Sequence, residues 1–231
     1  MSLLKKLTES WKKENSMTLL LLSIVIYLFI LAPILEDNTL GKIIRLLFFL
    51  LLILSGAASV SDDKKFKVFV FIFAGLSFFT KWIAALIHSN AILVSDIFGI
   101  LYFILLTYII SIHIFRSDKI TIHKIMGSVV LYLLIGIIFA YIFEIIVFFS
   151  PGSISISSNF NNETDETKLL YYSYVVLTTT GFGDITPVSN IARTVTIIEA
   201  LIGQLFPAIL IARLVSAEIA VRMSRTEQKD E

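Results

Sequence analysis

The chain has no cysteine among its 231 residues, which excludes disulfides, iron–sulfur clusters and cysteine-based zinc sites. Its three histidines, His88, His113 and His123, lie far apart in the sequence, so a histidine-built metal site is not expected. Charge is scarce as well: Asp, Glu, Lys and Arg make up 16% of the residues and nearly cancel, to +1. Nothing in that balance calls for a nucleic acid. No internal repeat is evident, and no catalytic residue and no organic cofactor is expected, so the chain does not read as an enzyme.

What it has instead is apolar surface. At 57% hydrophobic residues and a mean hydropathy of +0.88, the composition is that of an all-α integral membrane protein that crosses the bilayer several times. Apolar runs at residues 15–35, 43–60, 66–87, 91–115, 125–149 and 191–221 predict six spans, each able to cross a hydrocarbon core of about 30 Å at about 1.5 Å per residue. The first run follows a long basic stretch, exceeds a usual signal core and lacks a small-residue cleavage site, so it is read as a span. Residues 150–168 turn to Pro, Gly, Ser, Asn, Asp and Glu and predict an exposed loop. Residues 167–178 are amphipathic and too short to span. Backbone can turn back at membrane depth only where protein or an aqueous cavity surrounds it, and this stretch is expected to be such a re-entrant helix.

Lys and Arg are distributed unevenly. With the N-terminus inside, the inner segments hold Lys5, Lys6, Lys12, Lys13, Lys64, Lys65, Lys67, Arg116, Lys119, Lys124, Arg213, Arg222, Arg225 and Lys229, and the outer side only Lys42, Arg45, Lys168 and Arg193. Both termini are therefore expected in the cytoplasm. The implied organisation is a cytoplasmic segment at 1–16, a four-helix peripheral domain at 17–115, a second membrane domain at 116–221 and a cytoplasmic tail at 222–231, too short for a regulatory domain.

The most informative segment is residues 177–187, LTTTGFGDITP. Glycines alternating with larger residues allow backbone dihedrals closed to other residues, so successive carbonyls can point the same way. A stack of such oxygens can replace the hydration shell of K⁺. From about residue 124 to 221 the chain resembles the pore module of the tetrameric potassium channel family: outer helix, pore helix, filter, inner helix. YYSYVVLTTTGFGD carries an aromatic pair before the filter, and Arg193 and Gly203 follow Asp184 by nine and nineteen residues, at the family's usual spacing. Thr180 stands where the family often has Val, and Phe182 where Tyr is commoner; neither change removes a carbonyl.

The resemblance implies a passive, K⁺-selective channel in the plasma membrane, a homotetramer whose partners are its own copies, K⁺ and the lipid bilayer. The carbonyls of Thr179, Thr180, Gly181 and Phe182, with the Thr179 hydroxyl and Gly183 closing the run, would hold K⁺. Asp184 would accept a hydrogen bond from Tyr171, Val175 offering no carboxyl where some members have one, and Glu144 would bind backbone N–H groups at the start of the last span. Gln204, Pro207, Ile211 and Val215 share a helical face that would line the cavity and gate, with a bend between Gly203 and Pro207. Arg213 points off that stripe. A weakly selective cation channel, a non-conducting regulatory or structural subunit and a transporter remain as alternatives.

Charges inside the spans need partners. Lys81 and Asp96 flank the turn near Ser89 at similar distances and are expected to pair; Ser173 and Thr178 are candidate partners for Glu199. Residues 97–115 carry no charge, so the fourth span offers no voltage sensor. Residues 161–167, NNETDET, would concentrate cations near the outer mouth through Glu163, Asp165 and Glu166 if they are not simply solvated; they also contain a glycosylation sequon.

Overall fold

The computed structural model describes residues 17–34, 39–59, 64–87, 91–115, 122–157 and 165–230. The basic N-terminal segment, the turn around Ser89, Arg116, Lys119, Glu163 and the sequon lie outside the described residues.

The described chain is helical except for one short ribbon and one loop. Helix α1 covers residues 17–34 and contains a π-helical turn at Tyr27–Leu31, where the Ala32 N–H donates to Tyr27 O. Pro33 follows directly; lacking an N–H, it disturbs the ordinary helical ladder at this point. Then come α2 (Thr39–Ser59), α3 (Lys64–Ile87), α4 (Ala91–Phe115) and α5 (Ile122–Phe149). A thirteen-residue helix α6 (Asp165–Leu177) and a final helix α7 (Asn190–Asp230) follow. The last helix runs past the residue 221 expected from the apolar run, through the polar stretch that ends the chain.

Helix α5 organises the rest. It packs against α4 on one side and against α6 and α7 on the other, which explains why its sequence is apolar all round. Residues Ile137, Ala140 and Tyr141 face the peripheral helices, whose core includes Leu20, Ile24, Leu52, Ile53, Tyr102, Phe103 and Leu106. Phe139 and Phe143 face a second core with Leu169, Tyr172, Val176, Ile185 and Ala192. In the peripheral domain the close approaches are made by small and hydroxyl residues: Ser23 and Ser55 hydroxyls meet at 3.1 Å, and Tyr102 donates to Ile53 O at 2.9 Å.

By length and composition, Leu93–Ile112, Lys124–Phe149 and Asn190–Arg213 are apolar enough to cross a membrane, while Met17–Leu31, Ile43–Gly56 and Val68–Ile83 are shorter apolar helices. Many large apolar side chains face outward, among them Phe29, Leu47, Phe69, Phe71 and Ile104, as expected of surfaces solvated by lipid.

The loop expected at residues 150–168 is partly ordered. Strand β1 (Ile154–Ile156) pairs antiparallel with β2 (Ile185–Pro187), with Ile154 opposite Pro187, Ser155 opposite Thr186 and Ile156 opposite Ile185. The alternation SISIS at 153–157 carries the period of two that such pairing needs; Ile154 turns inward and Ser155 outward.

Candidate functional site

At 1.5 Å per residue, α6 is about 20 Å long, shorter than a bilayer core, and seven of its residues are buried. Four consecutive residues, Tyr171 to Tyr174, fix it in place. Successive residues on a helix point about 100° apart, so such a run reaches in every direction around the axis. Tyr171 donates to Asp184 Oδ2 at 2.6 Å, and the Tyr172 and Thr196 hydroxyls meet at 2.7 Å. Ser173 Oγ lies 2.7 Å from Gly136 O and 2.5 Å from Glu199 Oε1. Tyr174 donates to Leu133 O at 2.6 Å. Tyr132 of α5 closes the set by donating to Leu177 O, the last carbonyl of α6, at 2.9 Å. Bulk and closeness are reconciled by glycine: a Cβ at Gly136 would lie 2.7 Å from the Tyr174 ring.

The loop after α6 hangs from these fixed carbonyls. Thr179 N–H donates to Val176 O at 2.8 Å, and Thr180 and Gly181 N–H both reach Val175 O, at 3.0 and 3.3 Å. Thr178 Oγ1 donates to Tyr174 O at 2.7 Å and meets Thr180 Oγ1 at 2.9 Å. The N–H groups of Thr179, Thr180 and Gly181 are thus turned toward α6. Thr179, Gly181 and Gly183 have φ of +57°, +62° and +80°. An extended strand alternates its carbonyls between two sides; reversing the hand at every second residue turns them to one side. Thr179 is the costly member, because a β-branched residue at positive φ is a rare and strained state. The intervening Phe182 is 69% exposed in the single chain.

Asp184 anchors the far end. Besides the Tyr171 bond, its Oδ1 accepts the Ile185 N–H at 3.0 Å and its carbonyl accepts the Ser157 N–H at 3.1 Å. The ribbon continues the anchorage, with Val188 and Ser189 N–H donating to Ser153 O at 2.8 and 3.1 Å. Ser189 Oγ then caps α7 by accepting the Ala192 N–H at 3.2 Å. Arg193 Nε donates to Pro187 O at 3.4 Å.

Glu144 is not at the start of α7, where the sequence reading put it. It lies on the α5 face shared by Ile137, Ala140 and Tyr141, which repeats at three and four residues and looks toward the peripheral helices. There it lines a small cavity with Tyr27, Phe49 and Glu166. The expected Lys81–Asp96 pair is also replaced. Lys81 Nζ lies 3.1 Å from Glu166 Oε1, above the Tyr141 ring at 5.1 Å; Asp96 takes a hydrogen bond from Ser95 at 3.3 Å. Depth along the α3–α4 hairpin had suggested the partner, but the first turn of α6 brings a closer carboxylate. Glu166 is thereby committed to Lys81, while the exposed Asp165 pairs with Lys168 at 3.2 Å.

On α7, Gln204, Ile211 and Val215 are exposed and Pro207 half-buried in the single chain, and the helix is assigned without interruption through Pro207. Gly203 also makes a close approach to α6. A Cβ there would overlap the Leu177 carbonyl oxygen and lie 2.7 Å from its carbon, so the glycine lets α7 cross directly beneath the end of α6. Ser173, rather than Thr178, meets Glu199. Among the described residues, no group of three His, Cys, Asp or Glu side chains is placed to hold a metal ion.

Residues 127–219 match the sequence model of a protein family described as an ion channel, a match that takes in most of α5, α6, the loop and most of α7. Comparison with curated proteins and with solved structures finds no match. Residues 127–219 are thus similar to an ion-channel domain, and this match together with the long apolar helices supports an integral membrane protein.

Proposed function

We propose that this protein is a passive, potassium-selective channel formed by four copies of the chain. The observation that carries the reading is the alternation of positive φ at Thr179, Gly181 and Gly183, in a loop whose Thr179, Thr180 and Gly181 N–H groups are tied back to α6. Four such loops around an axis would stack the carbonyls of Thr179, Thr180, Gly181 and Phe182 as successive oxygen rings, with the Thr179 hydroxyl below. Rings of this kind replace the water around K⁺. Gly183 ends the run, while Tyr171 and Asp184 brace it.

One loop per chain requires several chains to close a pore, and cyclic symmetry with identical contacts is the simplest closure. The exposure of α7 supports this: only 11% of its Asn190–Arg213 window is buried within the chain. In the assembly, the face with Gln204, Pro207, Ile211 and Val215 lines the cavity. Gln204 hydrogen-bonds hydrated K⁺ under the loop, and rings of Ile211 and Val215 close the passage by contact or dewetting. All six apolar helices span the plasma membrane in this reading, with both termini cytoplasmic and the loop outside. The pore helix is braced against the peripheral domain through Lys81 and Glu166.

Purified protein in liposomes tests the reading: K⁺ gradients should drive flux that Na⁺ gradients do not. Equal flux of both ions would favour a weakly selective channel, and no flux a non-conducting subunit.

A further inference from the structure

Glu199 is 0% exposed, as is Ser173, and neither belongs to the carbonyl loop. Ser173 Oγ lies 2.7 Å from Gly136 O and 2.5 Å from Glu199 Oε1. A serine hydroxyl has one hydrogen and two lone pairs. A carbonyl oxygen cannot donate, so if the Ser173 hydrogen goes to Gly136 O, the short contact with Glu199 holds a hydrogen only if the carboxyl supplies it. An ionised Glu199 would compete for that single hydrogen and leave one close oxygen pair bare.

Charge compensation leads to the same state. Glu199 Oε2 has no hydrogen-bond partner among the described residues. Among the described residues, the ionisable groups that face Glu199 are Tyr132 on α5 and Tyr172 and Tyr174 on α6, none of them a cation. An unpaired buried carboxylate is far costlier than a neutral acid that is hydrogen-bonded.

We infer that Glu199 is a neutral carboxylic acid whose proton is donated to Ser173 Oγ, making a one-way chain from Glu199 through Ser173 to Gly136 O that ties α7, α6 and α5 together behind the loop. Glu199 is a positioning residue: it touches no permeant ion and acts through Ser173. Loss of its proton places a charge in a dry wall and reverses the Glu199–Ser173 bond, so Ser173 releases Gly136 and α6 loses one of its ties to α5. Conduction is therefore sensitive to alkaline pH from behind the loop. The functional half of this inference rests on the channel reading above; the protonation half does not.

The test combines infrared spectroscopy and flux in liposomes on the full-length wild type and Glu199→Gln. The amide of Glu199→Gln can donate to Ser173 in the same sense without a titratable proton. The wild type should show a buried carboxylic-acid C=O band at neutral pH that Glu199→Gln lacks. As pH rises that band should fade, and K⁺ flux should fall with it, approaching tenfold per pH unit beyond the midpoint as the neutral fraction does, while Glu199→Gln stays within about twofold. Absence of the band at neutral pH, or an identical pH profile in Glu199→Gln, overturns the inference. A wild type that shows the band yet passes no K⁺ at any pH refutes the channel reading and leaves the proton assignment standing. If Glu199→Gln fails to fold, Ser173→Ala supplies the comparison: removing the acceptor should shift the acid band, and an unshifted band overturns the chain.

Discussion

Replacing Gly203 by Ala adds a single methyl group where none fits. Its Cβ would overlap the Leu177 carbonyl oxygen and sit 2.7 Å from the carbonyl carbon and 3.0 Å from Cα, all backbone atoms, whereas ordinary contacts begin near 3.4 Å. The two helices must part by about 0.7 Å or more to restore contact with the carbon alone. Insertions of this kind into packed interiors cost about 1–3 kcal/mol, or roughly 2–12 °C in melting temperature for a chain of this length. The displaced turn also carries the Val175 and Val176 carbonyls that hold Thr179 and Thr180, and it presents Leu177 O to Tyr132. Selectivity should therefore fall together with stability. Pro207→Ala makes the contrast: it restores an N–H toward the Gly203 carbonyl and should stiffen α7, changing open probability while leaving selectivity intact. The assays are thermal unfolding in detergent and K⁺ against Na⁺ flux. Wild-type melting and selectivity in Gly203→Ala would refute the close-approach role and return the glycine to a simple hinge.

Tyr171→Phe removes a 2.6 Å hydrogen bond to Asp184, a charge-assisted contact of about 1.5–3 kcal/mol, and should shorten open-state lifetime in single-channel records; an unchanged lifetime would remove Tyr171 from the brace. Lys81→Gln, Glu166→Gln and the double variant should give non-additive losses of stability, with a coupling of about 0.5 kcal/mol or more held to the low end by the partial exposure of both groups; additive losses would show that the 3.1 Å contact does not couple α3 to α6. Conductance in symmetrical K⁺ should vary only shallowly with voltage, because residues 97–115 hold no charge and each gating charge supplies only about 2.3 kcal/mol per 100 mV; a steep rise with depolarisation would contradict this.

The loop was legible because its chemistry is local, in the alternating glycines, and the Tyr171–Asp184 contact was legible through the resemblance to the potassium channel pore module, which implies an aromatic donor at that position. The Ser173–Glu199 contact was legible in outline, since a buried acid demands a hydroxyl or a cation. Glu144 and Lys81 were misread because their partners depend on which face of α5 meets the peripheral helices, and that is a tertiary choice. Ile137, Ala140, Tyr141 and Glu144 repeat at helical spacing, yet in a helix apolar all round nothing in sequence distinguishes that face from the one with Phe139 and Phe143. The role of Gly203 was hidden for a related reason: hinge glycines and approach glycines look alike until the neighbouring backbone is in place. The β1–β2 ribbon did leave a trace, in the SISIS alternation inside an otherwise loop-like stretch.

The reversal potential of the reconstituted protein between equal concentrations of K⁺ on one side and Na⁺ on the other tests the central claim most directly. Each decade of preference for K⁺ over Na⁺ moves that potential by about 59 mV. The account predicts a displacement of more than one such step in the direction set by K⁺, and a reversal at zero would contradict it.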